Sequence, residues 1–138
     1  MMEFNFEIEG GDFTKAGMAS SEVKKILKQL NLKPSIIKKI AVAMYEAEVN
    51  IVAHAYRGKM KVSIDSEKIS MLFEDEGPGI ADINKAMQEG YSTASEEVRQ
   101  MGFGAGMGLP NIKKNSDELK ITNLQGQGTR VQITTFIK

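Results

Sequence analysis

The chain has 138 residues, 18 Lys plus Arg against 18 Asp plus Glu, a single His, and neither Cys nor Trp. That length is about one domain, able to bury roughly two-thirds of the surface its unfolded chain exposes, and a hydrophobic content of 41% is enough for one core without disulfides. Zero net charge with no local Lys/Arg cluster argues against nucleic acid or anionic lipid as a partner, and one His without Cys removes nearly every imidazole or thiolate metal site, leaving only hard cations held by oxygen. The N-terminus carries no basic leader followed by an apolar core, and the most apolar stretch is interrupted by Glu46, Glu48 and Asn50. The expectation is a soluble cytoplasmic protein with no membrane association.

Phe4, Phe6 and Ile8 alternate with polar residues up to Gly10-Gly11, the pattern of a half-buried strand entering a turn. From Ala16, apolar residues at Ala19, Val23, Ile26, Leu27 and Leu30 recur at helical spacing until Asn31, and a second helix opens at Pro34. This second helix is expected to run to about Arg57, with Gly58 ending it. It is apolar almost all round, so it should be covered on most sides, and its polar residues are the informative ones. Glu46, Asn50 and His54 form a stripe at four-residue steps. His54 reads more simply as a helix-end packing or hydrogen-bonding residue than as a catalyst. Glu48 stands where a hydrophobic residue is expected, and the pattern offers no account of it.

Alternation over Met60–Ile64 and again over Ile69–Phe73 predicts a hairpin ending at Asp75. The loop EDEGPGI follows, then a short helix capped by Asp82 and stopped by Gly90, then a lid segment in which Thr93 and Glu96 can form a capping box. GFGAGMG cannot be the interior of a regular element; it specifies a loop that lets backbone approach a ligand, ahead of a helix opened by Leu109-Pro110. A strand at Leu119 and Ile121, a GQG turn and a last strand from Val131 to Ile137 complete the chain. Strands at both ends with helices between them predict an α+β, two-layer α/β sandwich, a mixed but mostly antiparallel sheet with helices on one face, over a single domain of residues 1–138.

The glycine run fits neither a dinucleotide fingerprint nor a P-loop: Met107 and Leu109 fall where the third glycine is needed, and no Gly-Lys-Ser/Thr follows. What the sequence offers is an ordered set of four boxes, Glu46 with Asn50, Asp75 with Gly77 and Gly79, glycines 102 to 108, and Gly128-Thr129, of which the first three have a direct rationale if the ligand is a nucleotide with Mg²⁺. Asn50 can ligate a hard cation that also holds phosphate oxygens, and Glu46, one turn earlier, can accept a proton from an incoming hydroxyl or water. Asp75 can accept a hydrogen bond from an exocyclic amine while Gly77 and Gly79 let the backbone pass close to a flat ring. Glycines 102 to 108 can turn backbone N–H groups toward phosphate.

Taken in order, these boxes resemble the GHKL ATPases of the Bergerat fold, and within them the small bacterial anti-sigma-factor serine/threonine kinases and related switch kinases. EAEVNIVAHAY is similar to the N box, EDEGPGI to the G1 box, GFGAGMGLPNIKK to the G2 lid and GQGTRVQI to the G3 Gly-Thr. The resemblance implies Glu46 as catalytic base, Asn50 as Mg²⁺ ligand, and Asp75 as adenine reader with Gly77 and Gly79. It also implies Gly104, Gly106 and Gly108 as lid and Thr129 as a second contact near adenine. It further implies ATP and Mg²⁺ as cofactors, phosphoryl transfer to a small anti-sigma-antagonist-like protein, homodimerisation and, in one branch, binding of a sigma factor. The lid is closer to the switch-kinase branch than to kinases that sequester a sigma factor. The rival from another class is a nucleotide-gated module that sequesters a regulator without transferring phosphate.

Overall fold

The computed structural model describes residues 1–77, 87, 108–124 and 127–137. The chain enters through β1 (Met2–Glu9), makes a short 3₁₀ turn at Phe13–Lys15, and continues into α1 (Met18–Lys28) and α2 (Pro34–His54). The hairpin of β2 (Arg57–Ile64) and β3 (Lys68–Glu76) follows, then α3 (Gly108–Lys114), β4 (Glu118–Asn123) and β5 (Thr129–Phe136). The five strands form one sheet in the order β1-β2-β3-β5-β4, and every pairing in it is antiparallel. The expected layered α/β architecture is therefore present.

Side chains on each strand alternate between a core-facing and an outer set. Phe4, Phe6 and Ile8 of β1, Met60, Val62 and Ile64 of β2, Ile69, Met71 and Phe73 of β3, and Val131 and Ile133 of β5 join the core. The outer set is mostly polar, with Leu72 and Phe136 as exceptions, and has charges of opposite sign in register across strands, as in Arg57 with Glu76 at 2.8 Å and Arg130 with Glu74 at 3.2 Å.

Helix α2 lies at the centre of the helical layer, touching α1, α3 and four of the five strands. That covering explains its all-round apolar pattern: Ile37, Ile40, Ala43, Met44, Ala47, Val49, Ile51 and Val52 are all buried. The helix is shorter than expected, ending at His54, and Arg57 and Gly58 belong to β2. Backbone pairing decides this. The Tyr56 N–H donates to the Glu76 carbonyl at 2.8 Å, and the Gly10 N–H donates to the Tyr56 carbonyl at 3.0 Å, so sheet neighbours claim the groups a further helical turn would need. The predicted short helix from Asp82 to Gly90 and the lid turn at Thr93 and Glu96 lie outside the described residues.

Glu48, unaccounted for by sequence pattern, is 2% exposed and acts as the missing cap of α1. Gly17, the residue before that helix, has no side chain to accept from the first turn. Glu48 Oε2 instead accepts from the backbone N–H of Gly17 at 2.9 Å and Ala19 at 3.3 Å, while Oε1 accepts from the Ser20 N–H at 2.8 Å and its Oγ at 2.6 Å. A negative charge meets the positive end of the helix and three otherwise orphaned donors at once. Gly17 is required there: its φ is +89°, and a Cβ would lie 2.9 Å from the Tyr45 ring.

Glu48→Ala is expected to destabilise the fold by about 2 to 4 kcal/mol, because buried N–H groups and a hydroxyl lose their acceptor. Glu48→Gln is expected to destabilise too, since its amide N–H₂ would face donors. Urea unfolding followed by circular dichroism measures both, and an unchanged midpoint in the Ala variant would refute the capping role.

Candidate functional site

Glu46 and Asn50 lie one turn apart on the same face of α2, both half-buried. The Glu46 carboxylate meets the first turn of α3: a Cβ on Gly108 would lie 3.4 Å from its Oε2, and the Asn111 side chain hydrogen-bonds to it. Burial pushes the Glu46 carboxyl above its ordinary range, and the Asn111 hydrogen bond partly offsets that by favouring the ionised form. Asn111 is a site residue that the sequence reading missed. A polar residue three positions after Gly108, in an otherwise apolar first turn, was the available signal.

Asp75 sits on the core-facing side of β3 near its end, opposite Gly58 of β2. Its Oδ1 accepts from the Thr129 N–H at 3.0 Å, bringing the expected G1 and G3 boxes together across 54 residues of sequence. Burial raises the Asp75 pKa above its ordinary value, and the Thr129 hydrogen bond opposes the shift. Gly128 makes the approach possible. Its φ is +139°, and a Cβ would come 1.9 Å from the Asp75 carbonyl oxygen, so no other residue fits without moving the strand end.

Gly77 continues from β3 and packs on the end of α2, where a Cβ would meet Ala55 Cα at 3.0 Å. The C-terminal turn of α2 thus abuts the Asp75 loop, while Glu46 abuts α3. Asn50 lies between these two contacts along the helix. His54 is partly buried, which lowers its pKa by disfavouring the imidazolium, in keeping with a packing residue at the helix end. Thr129 is buried and Gly108 begins α3. Gly79, Gly104 and Gly106 lie outside the described residues.

Among the described residues no group of three or more His, Cys, Asp and Glu side chains could hold a metal ion. The residue expected to hold a cation, Asn50, would offer one carboxamide oxygen. That set suits Mg²⁺, which keeps several waters and is completed by substrate phosphates, and does not suit a cation needing an all-protein cage. No helix among the described residues is long and apolar enough to cross a membrane.

Comparison with known proteins shows the family and the fold. Residues 12–135 match the histidine kinase-like ATPase domain, and the chain belongs to that family. Two curated relatives bear on the particular kind. An "Anti-sigma F factor" of Thermoanaerobacter sp. (strain X514) is 35% identical over 99% of this chain and 94% of its own. The "Serine/threonine-protein kinase RsbT" of Bacillus subtilis (strain 168) is 29% identical over 83% of this chain and 84% of its own. Among solved structures, the RsbU and RsbW domains of a Mycobacterium tuberculosis protein superpose with a TM-score of 0.65 at 15% identity, covering 98% of this chain and 32% of theirs. The mycobacterial sensor histidine kinase MprB superposes at 0.56, also at 15% identity, covering 98% of this chain and 97% of its own. At such identity these two show the shared fold.

The raised pKa of Glu46 has a consequence for stability. A carboxyl with a higher pKa folded than unfolded loses stability for the protein as pH rises from the ordinary carboxylate range through the raised value, and the loss persists above it. Glu46→Gln removes that cost. The variant is expected to melt above the parent at about pH 7.5 and level with it below about pH 4, where both carboxyl and amide are neutral. Calorimetric melts at the two pH values measure this; equal melting temperatures at the higher pH would contradict it.

Proposed function

We propose that the chain is an ATP- and Mg²⁺-dependent protein serine/threonine kinase of anti-sigma type. It would transfer the γ-phosphoryl group to a Ser or Thr hydroxyl of a small anti-sigma-antagonist-like protein in a partner-switching system. The observation that carries the reading is the state of Glu46: a half-desolvated carboxylate beside the first turn of α3, one turn from Asn50 on the same helix face. The names of the relatives, an anti-sigma factor and a serine/threonine kinase, support it. The family match over residues 12–135 supports one ATP-binding domain.

In this reading Glu46 accepts the proton of the acceptor hydroxyl as its oxygen attacks the γ-phosphorus, and the bond to the bridging oxygen breaks to release ADP. Desolvation makes Glu46 a stronger base than a surface glutamate, and Asn111 orients it. Asp75 reads the adenine amine, with Thr129 beside it and Gly77 and Gly79 allowing close approach of the ring. Asn50 holds the Mg²⁺, which supplies neutralisation of phosphate charge when bound. Gly104, Gly106 and Gly108 would form the phosphate-covering lid, all three assigned from the sequence. The phosphate placed on the acceptor adds nearly two negative charges, enough to break or make a protein complex.

Glu46→Gln is expected to keep Mg-ATP affinity and to lower transfer by about 10²- to 10⁴-fold. Asn50→Ala is expected to weaken Mg²⁺-dependent ATP binding. Calorimetry with Mg-ATP, and incubation with labelled ATP and the small proteins encoded nearby followed by phosphosite mapping, read both effects. Undiminished transfer in the Gln variant would remove Glu46 from the mechanism. ATP binding by the parent with no transfer to any acceptor would favour the nucleotide-gated binding module.

In the same assay, the acid limb of the transfer rate should follow Glu46 ionisation, and Asn111→Ala should move that limb to higher pH because the hydrogen bond favouring the carboxylate is gone. An unmoved limb would dismiss the orienting role of Asn111.

A further inference from the structure

A groove of about 1000 Å³ runs between α1 and α2, following α2 from Pro34 to Glu46. That is roughly 18 Å of helix at 1.5 Å per residue. Its floor is apolar, built from Ile37, Ala41 and Val42, and Tyr45 leaves an aromatic ring 43% exposed beside Glu46. Three lysines line it: Lys24 and Lys28 from α1 and Lys38 from α2. All three are exposed, and among the described residues none is paired with a carboxylate. Two lysines just outside the groove are paired, Lys25 with Glu22 at 3.4 Å and Lys39 with Asp117 at 3.6 Å, whereas Lys33 has no ion pair among the described residues. The one carboxylate in the lining is Glu46 itself.

We propose that this groove is the docking site of the acceptor protein, which lays an acidic segment bearing apolar side chains along it and so delivers its hydroxyl to Glu46. The inference rests on the kinase reading given above and adds the place and chemistry of recognition. Charge complementarity argues the acidic character, since three cations without partners in a chain of zero net charge form a local positive strip. The apolar floor and the tyrosine argue a protein segment, because a strip that served phosphates alone would not need them. Continuity with Glu46 argues the acceptor rather than another partner: whatever fills the groove ends at the proposed base.

The test compares the parent with the triple variant Lys24→Glu/Lys28→Glu/Lys38→Glu, using the full chain, Mg-ATP and the acceptor identified by labelling. A milder Lys→Gln triple covers any folding loss, and Lys25→Glu serves as the control outside the groove. The charge-reversed variant is expected to raise KM for the acceptor by about tenfold or more, with kcat and ATP affinity within about twofold of the parent. In the parent, KM should rise with added NaCl, and in the variant it should not. An unchanged KM with an acceptor that is still labelled overturns the docking site and leaves the kinase reading standing. An equal effect from Lys25→Glu reduces the result to bulk charge and overturns it. A change in self-association of the variant alone identifies a second copy of the chain as the occupant and overturns it. Absence of both labelling and acceptor binding in the parent overturns the kinase reading and this inference together.

Discussion

The contact between Glu48 and the first turn of α1 fixes the geometry of the helical layer. One carboxylate in the interior of α2 accepts from three backbone N–H groups and a hydroxyl of another helix. Apolar packing is tolerant of small slides, whereas a bidentate set of charge-assisted hydrogen bonds is directional and defines a single register between the two helices. Everything on the α1 side of α2 inherits that register, including the width of the groove and the position of Tyr45 over Gly17. Because the carboxylate is buried, the alternative of rotating it to solvent is closed, and among the described residues the four donors have no other side-chain acceptor.

Glu46 and Glu48 are separated by two residues, about 200° around the helix, and so leave α2 on nearly opposite sides. Their surroundings give them different work. Glu48 is saturated by donors and serves as a structural cap. Glu46 is half-desolvated, meets the first turn of α3 and has the Asn111 hydrogen bond, so its carboxylate retains capacity to accept another proton. Two carboxylates of one helix thus differ, one as anchor and one as proposed base, in the number of donors each meets, the same logic by which environment assigns distinct roles to paired carboxyl groups in enzymes. The arrangement also couples the two: the anchor holds the helix whose other face presents the proposed base.

The strands and the order of the boxes were legible because their signals are local. Alternation at Phe4, Phe6 and Ile8 or at Met60, Val62 and Ile64 needs only a period of two, and the Asp75 and Gly128-Thr129 boxes declare themselves by glycine spacing. That Asp75 and Thr129 would meet followed from the family resemblance, not from any local pattern. The end of α2 was misplaced because Gly58 is a common helix stop, while the competing claim on Tyr56 comes from Glu76 and Gly10, both distant in sequence. Glu48 was opaque for the same reason. Its partners lie 28 to 31 residues earlier, and a buried acid is interpretable only once the helix end it caps is known. Asn111 lay between these cases, visible as an odd polar residue but meaningful only beside Glu46.

The distribution of charge separates the surfaces of the molecule. On the outer face of the sheet, acidic and basic residues occupy neighbouring strands in register: Glu7 opposite Lys59, Lys59 opposite Glu74, Glu74 opposite Arg130. Exposed pairs of this kind contribute little stability, about 0 to 1 kcal/mol each, so their value lies elsewhere: a self-neutralised face attracts no charged partner, and charged residues on β1 discourage edge pairing. The helical side applies the opposite arrangement at Lys24, Lys28 and Lys38. Leaving them without carboxylates costs the free protein almost nothing, by the same magnitude, yet it preserves a field that a neutralised surface would lack. The in-register pairs Glu7–Lys59 and Glu74–Arg130 are thus matched across the sheet, whereas the three lysines beside the proposed base keep their charge available to an acidic partner under the proposed docking.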